Sequence, residues 1–562
     1  MGNAVDDQRL GSGGSASIRV VEPRPTAFPS RWALVAIALA YLVLYGRTVT
    51  FGYVWDDPAN SAASELLRGP LSTVIRRGEN IRIDAALGRM PKDIVPSHES
   101  YRPVAAASHW LDVHLFHDRP SLLHAHNVLL GLLSLLLVWR LSRRLDAGPW
   151  LTGVWALHPL HVEVFAYISA RSELLAAIFA LIAVLAALRS SRARGAGGRW
   201  GWAVAAALTY FVSLFCKEAI LPLPLAILLW SWLRGQARLM APSVAAMCAG
   251  VALYFPVRNT LMLSTSLPMV QIGLLVRSFW ELPGLALAYV ASFFAPFSLS
   301  PDRQFWPGYV PLGFVLLAVM LASYVVALRR VSREQRPALM DAAGALLAFG
   351  LMLGPAAFGV RSVGAQADRY VFFPLLFLVL GLLSLARLVP RPSSPLLWRV
   401  PLALWAGLLL ITTAVQIGAW RDDEALARHA VAMDPNSSAG LFRAATVLTS
   451  RGDFRAALPL LEQAVAQNPH SARVLNNLAV TYLNLGRIED AKATLRKALP
   501  LAGATDRKFW YNVASVQLAA GKTDRACGAL ARALEIDPGY ALALSLRQQV
   551  CPPSFMGSPK GD

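Results

Sequence analysis

The run Tyr53-Val54-Trp55-Asp56-Asp57 follows a hydrophobic segment, residues 32–49, and the rest of the chain is organised around this junction. The segment is long and apolar enough to cross a bilayer as a helix. Asp56 and Asp57 therefore stand where the chain leaves the lipid, a place where charge must face water, a partner or a substrate. Two adjacent carboxylates also repel each other, so one of them keeps its proton or attracts a cation. A functional pair and a solvated loop are both compatible with this position.

The composition is that of a membrane protein with a polar region attached. Of the 562 residues, 55% are hydrophobic and 15% are charged, whereas soluble domains carry about 25% charged residues. The formal net charge is +19. The arginines fall in short clusters between hydrophobic runs, at 140–144, 189–199 and 329–336, as in cytoplasmic loops. We therefore expect no nucleic-acid partner, because no basic stripe is left once these loops are set aside.

The order of hydrophobic runs predicts an all-α, polytopic membrane domain over residues 31–420. Residues 1–30 lack apolar periodicity, which predicts a disordered cytoplasmic tail. After a first polar loop at 50–122, placed outside, we expect spans at about 124–141, 149–167, 172–189, 202–216, 219–233, 242–258, 310–328, 339–358, 370–388 and 397–419. That gives about 11 crossings, or about 13 if 261–298 is a hairpin and not a re-entrant segment. Either odd number places the arginine clusters inside and the C-terminus outside.

A periodic pattern begins after Trp420. Gly452, Gly486 and Gly521 are 34 and 35 residues apart, and Asp-Pro or Asn-Pro pairs at 434, 468 and 537 follow the same phase. A 34-residue period with small residues on the second helix indicates tetratricopeptide repeats. We predict an α-solenoid over 421–550, with one insertion near 501–506, and a disordered tail at 551–562.

The four cysteines show no metal-ligand spacing. Cys527 and Cys551 can form a disulfide if the repeats lie in an oxidising compartment, but the sequence leaves that pairing open.

Several polar groups are expected at the outer ends of spans, on the same side as Asp56. The candidates are Arg102, His158, His161, Glu163, Arg171, Lys217, Arg369 and Tyr370. On a helix, Glu163 does not share a face with His158 and His161, and no third ligand is specified, so we predict no metal site. A plain structural role for Lys217 and Glu218, as a mutual or a cross-helix ion pair and no more, is also open.

Six motifs carry a family resemblance. They are YVWDDPAN at 53–60, YRPVAAASHWLD at 101–112, HAHN at 124–127, LHPLHVEVFAYISARSELL at 157–175, KEAILP at 217–222 and ADRY at 367–370. In these motifs the chain resembles the membrane protein O-mannosyltransferases with C-terminal tetratricopeptide repeats, which are integral-membrane glycosyltransferases of the C type. The resemblance covers about residues 31–420 and the repeats. Gly131 stands where the family often has a histidine.

The resemblance implies transfer of a hexose, mannose in this family, from a polyprenyl- or dolichyl-phosphate carrier to Ser or Thr hydroxyls of exported proteins. Asp56 or Asp57 is then the base that takes the acceptor proton. Arg171, Lys217, Arg369 and Arg102 are expected to hold the donor phosphate, Glu163 to orient an arginine or the acceptor, and His158, His161 and Tyr370 to support the site. One phosphate can be neutralised without a divalent ion, so we expect neither metal nor cofactor, and we expect the repeats to present the acceptor.

Two other functions remain open from the sequence. An oligosaccharide ligase with a lipid-diphosphate donor is also polytopic, but its long outer loop comes late and not first. A non-catalytic membrane scaffold would use the repeats to recruit partners, and it needs no charges at five span ends. The compact arginine-rich loops favour a bacterial inner membrane with periplasmic repeats, or the endoplasmic reticulum membrane if the chain is eukaryotic.

Overall fold

The computed structural model describes residues 30–61, 64–77, 101–117, 119–262, 269–301, 303–363, 365–390, 394–502 and 506–552. The predicted tails, apart from Ser30, Cys551 and Pro552, lie outside these residues. So does the part of the first polar loop between Arg77 and Tyr101.

The described part of the membrane domain is helical. Its α-helices are Ser30–Tyr45, Glu65–Arg68, Leu71–Arg77, Pro103–Phe116, Pro120–Arg144, Gly148–Leu157, Val162–Ala166, Arg171–Arg192, Ala196–Cys216, Leu223–Leu233, Ala237–Met262, Met269–Phe294, Tyr309–Arg330, Arg336–Met352, Gly354–Val363, Pro374–Ala386 and Leu396–Ala419. Short 3-10 helices lie at Gly46–Thr50, Asp57–Asn60, Pro159–His161, Ile168–Ala170, Glu218–Ile220 and Asp368–Val371. Arg303–Gln304 and Ala365–Gln366 form a two-residue antiparallel pair. The predicted all-α class is confirmed.

Eight helices of the described chain are long and apolar enough to cross a membrane. They lie at Arg31–Thr50, Pro120–Arg144, Ile168–Arg192, Ala196–Cys216, Ala237–Thr260, Tyr309–Arg330, Arg336–Ala357 and Leu396–Ala419. Two shorter apolar helices, Glu218–Leu233 and Pro374–Ala386, accompany them. The chain is thus an integral membrane protein, whereas the expected 11 crossings stay a prediction.

The predicted span 149–167 is not one helix, and this corrects the sequence interpretation. The helix ends at Leu157, and residues 158–170, which are buried throughout, form two 3-10 turns on either side of the five-residue helix Val162–Ala166. Pro159 causes the break, because it lacks an N–H and disfavours helical backbone in the residue before it. Irregular backbone at this depth is tolerated only where protein surrounds it.

The segment 261–298 forms one helix, Met269–Phe294, so the hairpin alternative is wrong. The chain that follows returns to the side of the repeats: the Leu299 carbonyl accepts hydrogen bonds from Gln416 and His429, both at 2.9 Å. Gln304 N–H also donates to Asp434 at 3.3 Å. Whether this helix enters the membrane and returns stays a prediction.

Close helix contacts in the membrane domain depend on small residues. Tyr41 packs edge-to-face on Phe165 at 5.3 Å between ring centroids, and its hydroxyl points to the Val128 carbonyl. Gly131 makes room for that hydroxyl, because a Cβ there would lie 1.9 Å from the Tyr41 oxygen. The first helix is therefore seated directly against the helix Pro120–Arg144.

The repeats form a helical solenoid with the predicted phase. The helices are Asp423–Met433, Ser438–Ser450, Phe454–Gln467, Ala472–Asn484, Ile488–Ala502, Arg507–Ala519, Thr523–Ile536 and Ala541–Val550. Gly452, Gly486 and Gly521 all have φ between +72° and +79°, the left-handed conformation that ends a helix most easily at glycine. Cys527 and Cys551 are joined by a disulfide, which closes the pairing that the sequence left open.

Candidate active site

Asp57 fixes the loop that follows the first helix. Its side chain is fully buried. One carboxylate oxygen accepts hydrogen bonds from the Ser169 N–H at 2.9 Å and the Ser169 hydroxyl at 2.7 Å, and the other accepts from the Val54 N–H at 3.1 Å. Burial raises the pKa of Asp57 to about 7, although these three hydrogen bonds act to lower it. Both oxygens are engaged by protein donors, so Asp57 ties residues 54–57 to the buried turn before Arg171.

Asp56 is the half-buried member of the pair. Its N–H donates to the Tyr167 hydroxyl oxygen at 3.3 Å, and that hydroxyl donates to the Asp56 carboxylate at 3.3 Å. The Tyr167 ring is stacked between Trp55, with centroids 5.7 Å apart, and Trp420, at 5.0 Å. Asp56 thus reaches the protein surface from a loop held by aromatic side chains.

Four charged side chains from distant parts of the chain meet next to this loop: Glu163, Glu173, Lys217 and Arg369, here called the acid–base cluster. The Arg369 guanidinium pairs with Glu163, and its Nε lies 3.6 Å from Glu173 Oε1. The Lys217 ammonium pairs with that same Glu173 oxygen. Arg369 also lies 5.8 Å from the Trp55 ring centroid, which connects the cluster to the Asp56 loop.

Arg102 borders the acid–base cluster. Its Nε lies 3.3 Å from Glu218 Oε2. Burial, with the positive charge of Arg102 next, lowers the pKa of Lys217 to about 8 although Glu173 acts to raise it. Lys217 pairs with Glu173 and Glu218 with Arg102, so among the described contacts both residues form the cross-helix ion pairs that the sequence left open, and not a mutual one.

Arg171 lies apart from the cluster and is fully buried. Its guanidinium forms an ion pair with Asp112, and it donates to the Asn127 side chain at 2.7 Å and to the Leu123 carbonyl at 3.2 Å. Because its donors are engaged inside the protein, Arg171 connects three helices, and its contact with the donor phosphate stays a prediction that these partners do not favour.

The predicted supporting residues have different surroundings. His158 is stacked on Phe293 with centroids 4.8 Å apart, and a ring nitrogen of His161 lies 2.8 Å from the Trp155 carbonyl oxygen; both histidines are fully buried. Tyr370 lies beneath the Arg369 guanidinium at 5.2 Å. No group of three or more His, Cys, Asp or Glu side chains in the described residues could hold a metal ion. Independence from metals stays a prediction.

Comparisons with known proteins agree with the motifs. The protein O-mannosyl-transferase Tmtc2 of Drosophila melanogaster is 29% identical over 209 residues, covering 36% of this chain and 22% of the relative. TMTC2 of Mus musculus is 34% identical over 127 residues, covering 22% and 15%. TMTC4 of Homo sapiens is 26% identical over 226 residues, covering 34% and 28%. The predicted resemblance to the TMTC protein O-mannosyl-transferases is confirmed. The chain spans less than a third of the length of these relatives.

The repeats have matches of their own. Residues 448–514 match the family model of the tetratricopeptide repeat. The crystal structure of TTC0263, a thermophilic TPR protein in Thermus thermophilus, covers 32% of this chain and 89% of its own at 23% identity. Its TM-score of 0.20 is too low to carry a structural conclusion.

One residue of the cluster is missing from the sequence prediction, although it lies inside the most specific motif shared with the TMTC proteins. Glu173 is in the first turn of the long apolar helix Arg171–Arg192 and contacts both Lys217 and Arg369. An acidic residue at the start of a spanning helix is itself a signal of function.

Proposed function

We propose that the chain is a membrane glycosyltransferase that moves a hexose, mannose by resemblance, from a polyprenyl- or dolichyl-phosphate carrier to Ser or Thr hydroxyls of exported proteins. The observation that carries this proposal is the convergence of Arg102, Lys217 and Arg369 beside the Asp56 loop. These cations come from three separate loops, at 102, 217 and 369. The names of the relatives support protein O-mannosylation as the reaction.

The residues present fit an inverting displacement. The acceptor hydroxyl attacks the anomeric carbon, the bond from that carbon to the phosphate oxygen breaks, and the electron pair leaves with the lipid phosphate. Asp56 takes the hydroxyl proton, because the oxygens of Asp57 are occupied by Ser169 and Val54. Lys217 and Arg369 stabilise the charge that develops on the leaving phosphate.

The carboxylates of the cluster hold the cations in place before substrate binds. Glu163 contacts Arg369, and Glu173 contacts both Lys217 and Arg369. Buried charges are costly and need partners, so this arrangement is retained only where it serves a purpose. Donors that are already in position need no reorganisation as charge develops on the phosphate. This preorganisation is the main source of electrostatic catalysis.

The expected compartment follows from the same features. The Cys527–Cys551 disulfide supports an oxidising surrounding for the repeats. We therefore propose a bacterial inner membrane with the repeats in the periplasm, or the equivalent lumenal side of the endoplasmic reticulum if the chain is eukaryotic. The repeats are proposed to bind the acceptor protein, since tetratricopeptide solenoids present extended concave binding surfaces.

Mass spectrometry tests the proposal. A secreted reporter rich in Ser and Thr is expressed with the wild-type chain, with Asp56→Asn, or with Asp524→Asn, an exposed carboxylate in the repeats that serves as the matched control. Hexose addition is expected with the wild type and Asp524→Asn and not with Asp56→Asn. A reporter mass that is the same with and without the chain would contradict the enzyme and favour the scaffold. Purified chain supplied with lipid-phosphate mannose or with a lipid-diphosphate oligosaccharide separates the transferase from the ligase.

A further inference from the structure

Residues of the tetratricopeptide repeats contact Trp55, which lies next to the proposed base Asp56. The Arg443 guanidinium carbon lies 3.5 Å from the centroid of the Trp55 ring. The Trp55 N–H donates to the Asp423 carboxylate at 2.7 Å. The Gly52 N–H donates to the Arg421 carbonyl at 3.2 Å, so the loop is tied to the repeat side at three points.

The membrane domain holds the same indole. Tyr167 stacks on Trp55 with an angle of 18° between the ring planes, and Arg369 of the acid–base cluster lies 5.8 Å from the ring centroid. Trp55 therefore lies between a cation of the repeats and the aromatic and cationic side chains of the proposed active site. Because Trp55 contacts both the membrane domain and the repeats, the position of the loop 51–57 depends on both.

The backbone of the loop needs such contacts. Trp55 has φ of +60°, a left-handed conformation that bulky residues rarely adopt. A strained residue keeps its conformation only where surrounding structure over-determines it, and such residues occur at functional sites. The hydrogen bond from the Trp55 N–H to Asp423 acts directly on this strained residue.

We propose that Arg443 and Asp423 are positioning residues that hold the Asp56 loop in its active conformation. The first tetratricopeptide helices then act on the chemical step itself, in addition to any binding of acceptor. The proposal rests on the proposed function for Asp56 as the base. Arg443 and Asp423 act through Trp55, and neither is assigned a contact with the reacting atoms.

A second contact fixes the first repeat helix against the membrane domain. His429 of that helix lies 2.9 Å from the Leu299 carbonyl oxygen, and the Gln304 N–H donates to Asp434 at the end of the helix. The helix is thus seated on two separate loops, 51–57 and 299–304. These contacts fix the first repeat helix. They thereby help to position Arg443, which lies on the next helix, over the Trp55 indole.

Hydrogen exchange of the full-length protein in detergent tests the mechanical part of the proposal without any substrate. Arg443→Ala and Asp423→Ala are each expected to raise exchange about tenfold in peptides covering residues 51–57, since the held amides lose their acceptor or their packing. The matched controls are Arg428→Ala, an exposed arginine of the first repeat helix, and Asp524→Ala, an exposed aspartate in the first turn of a later helix. Both controls are expected to leave exchange unchanged.

Unchanged exchange in the Arg443 and Asp423 variants overturns the proposal, whether or not the chain transfers sugar.

Kinetics with a three-residue acceptor peptide containing one threonine tests the catalytic part, because so short a peptide cannot span the repeats. Arg443→Ala is expected to lower kcat about tenfold, the equivalent of about 1.4 kcal/mol, with the KM for lipid-phosphate mannose unchanged. Arg443→Lys is expected to recover part of the rate, because an ammonium can also lie over an indole. A raised KM for long acceptors with an unchanged rate on the short peptide would instead make Arg443 an acceptor-binding residue and overturn the positioning role. A wild type that is inactive both on this peptide and on the secreted reporter would contradict the proposed function, while the exchange result would still be readable.

Discussion

Arg369 contacts Glu163 twice: its backbone N–H donates to one carboxylate oxygen at 2.9 Å, and its guanidinium pairs with the other. The Glu163 carboxylate therefore fixes the position of both the backbone and the side chain of Arg369, although Glu163 and Arg369 are 206 residues apart in the sequence. The guanidinium is left facing Glu173 on one side and Trp55 on the other. This geometry makes Arg369 the link between the acid–base cluster and the Asp56 loop.

Replacing Arg369 by lysine tests that link. Arg369→Lys keeps the charge but cannot reach Glu163 and Glu173 together, because an ammonium lacks the planar fork of a guanidinium. We expect the transfer rate to fall by about 10- to 100-fold, with little change in melting temperature. Initial rates with a lipid-phosphate sugar donor measure the effect, and Arg428→Lys is the matched control on an exposed arginine. A variant with wild-type rate would show that charge alone is sufficient at this position.

Asp56→Asn is expected to abolish transfer while the protein keeps its melting temperature. The substitution removes the proton acceptor, but the amide can keep one hydrogen bond with the Tyr167 hydroxyl. Transfer assays and thermal unfolding in detergent give the two readouts. Normal transfer by this variant would end the assignment of Asp56 as the base.

Asp57→Asn is expected to act on stability as well as on transfer. Two N–H groups and a hydroxyl surround the Asp57 carboxylate, so an amide NH₂ there must face at least one donor. Leaving such a buried group unsatisfied costs about 1–3 kcal/mol. We expect Asp57→Asn to have a lower melting temperature than Asp56→Asn. Equal melting temperatures would show that Asp57 does not stabilise the loop.

The stability that the buried carboxyls of Asp57 and Asp368 contribute is expected to fall as pH rises from about 4 to about 7. Burial raises the pKa of Asp57 and of Asp368 to about 7 in the folded protein, whereas the unfolded value is near 3.9. At these two carboxyls the folded state therefore binds more protons in this range, and the stabilisation present at low pH is lost as pH rises through the folded pKa. The buried His158 and His161, whose pKa burial lowers, act in the opposite direction. Melting temperatures of the wild type and of Asp57→Asn at pH 5 and pH 8 therefore isolate the contribution of Asp57. The wild type is expected to lose stability relative to Asp57→Asn between the two pH values, and an identical pH dependence in both proteins would contradict the raised pKa of Asp57.

Arg171→Gln is expected to destabilise the protein strongly. The substitution removes the guanidinium from the buried carboxylate of Asp112 and leaves it the His126 ring nitrogen, 2.6 Å away, as its remaining partner. Breaking a buried ion pair costs up to about 3–5 kcal/mol. The double variant with Asp112→Asn is expected to regain part of the loss, since no uncompensated charge is left. Thermal unfolding of both variants gives the result. A single variant that is stable but cannot bind donor would restore the phosphate-binding role predicted from the sequence.

Activity is expected to persist in EDTA. Arg369, Lys217 and Arg102 supply three positive charges for one leaving phosphate, so the proposed chemistry needs no divalent ion. Transfer rates with chelator, and with chelator followed by excess Mg²⁺ or Mn²⁺, check this expectation. Loss of activity in EDTA that returns with the ion would contradict it.

The fold was largely predictable from the sequence because its main signals are local. Hydrophobic runs mark spans, and Gly452, Gly486 and Gly521 mark a period that only repeated helix pairs explain. The broken segment after Leu157 was missed because its residues are as apolar as those of a span. Only Pro159 signals the break, and proline alone does not say whether a helix bends or stops.

The sequence predicted which residues belong to the site better than it predicted which of them contact each other. Lys217, Arg369 and Glu163 stand out because charge is rare at span ends, and the structure brings them together. The sequence could not assign a partner to each charge, since pairing depends on which loops meet in three dimensions. That is why Arg171 received a role that its contact with Asp112 does not support, and why Glu173 received none.

Gly131 and Tyr41 have a consequence for introducing a histidine at position 131, the residue that the resemblance implies there. The Tyr41 hydroxyl fills the space that a side chain at 131 would need. A single Gly131→His replacement would force the first helix outward, whereas pairing it with Tyr41→Ala would free that volume. The two positions are therefore expected to vary together among related sequences, one large when the other is small.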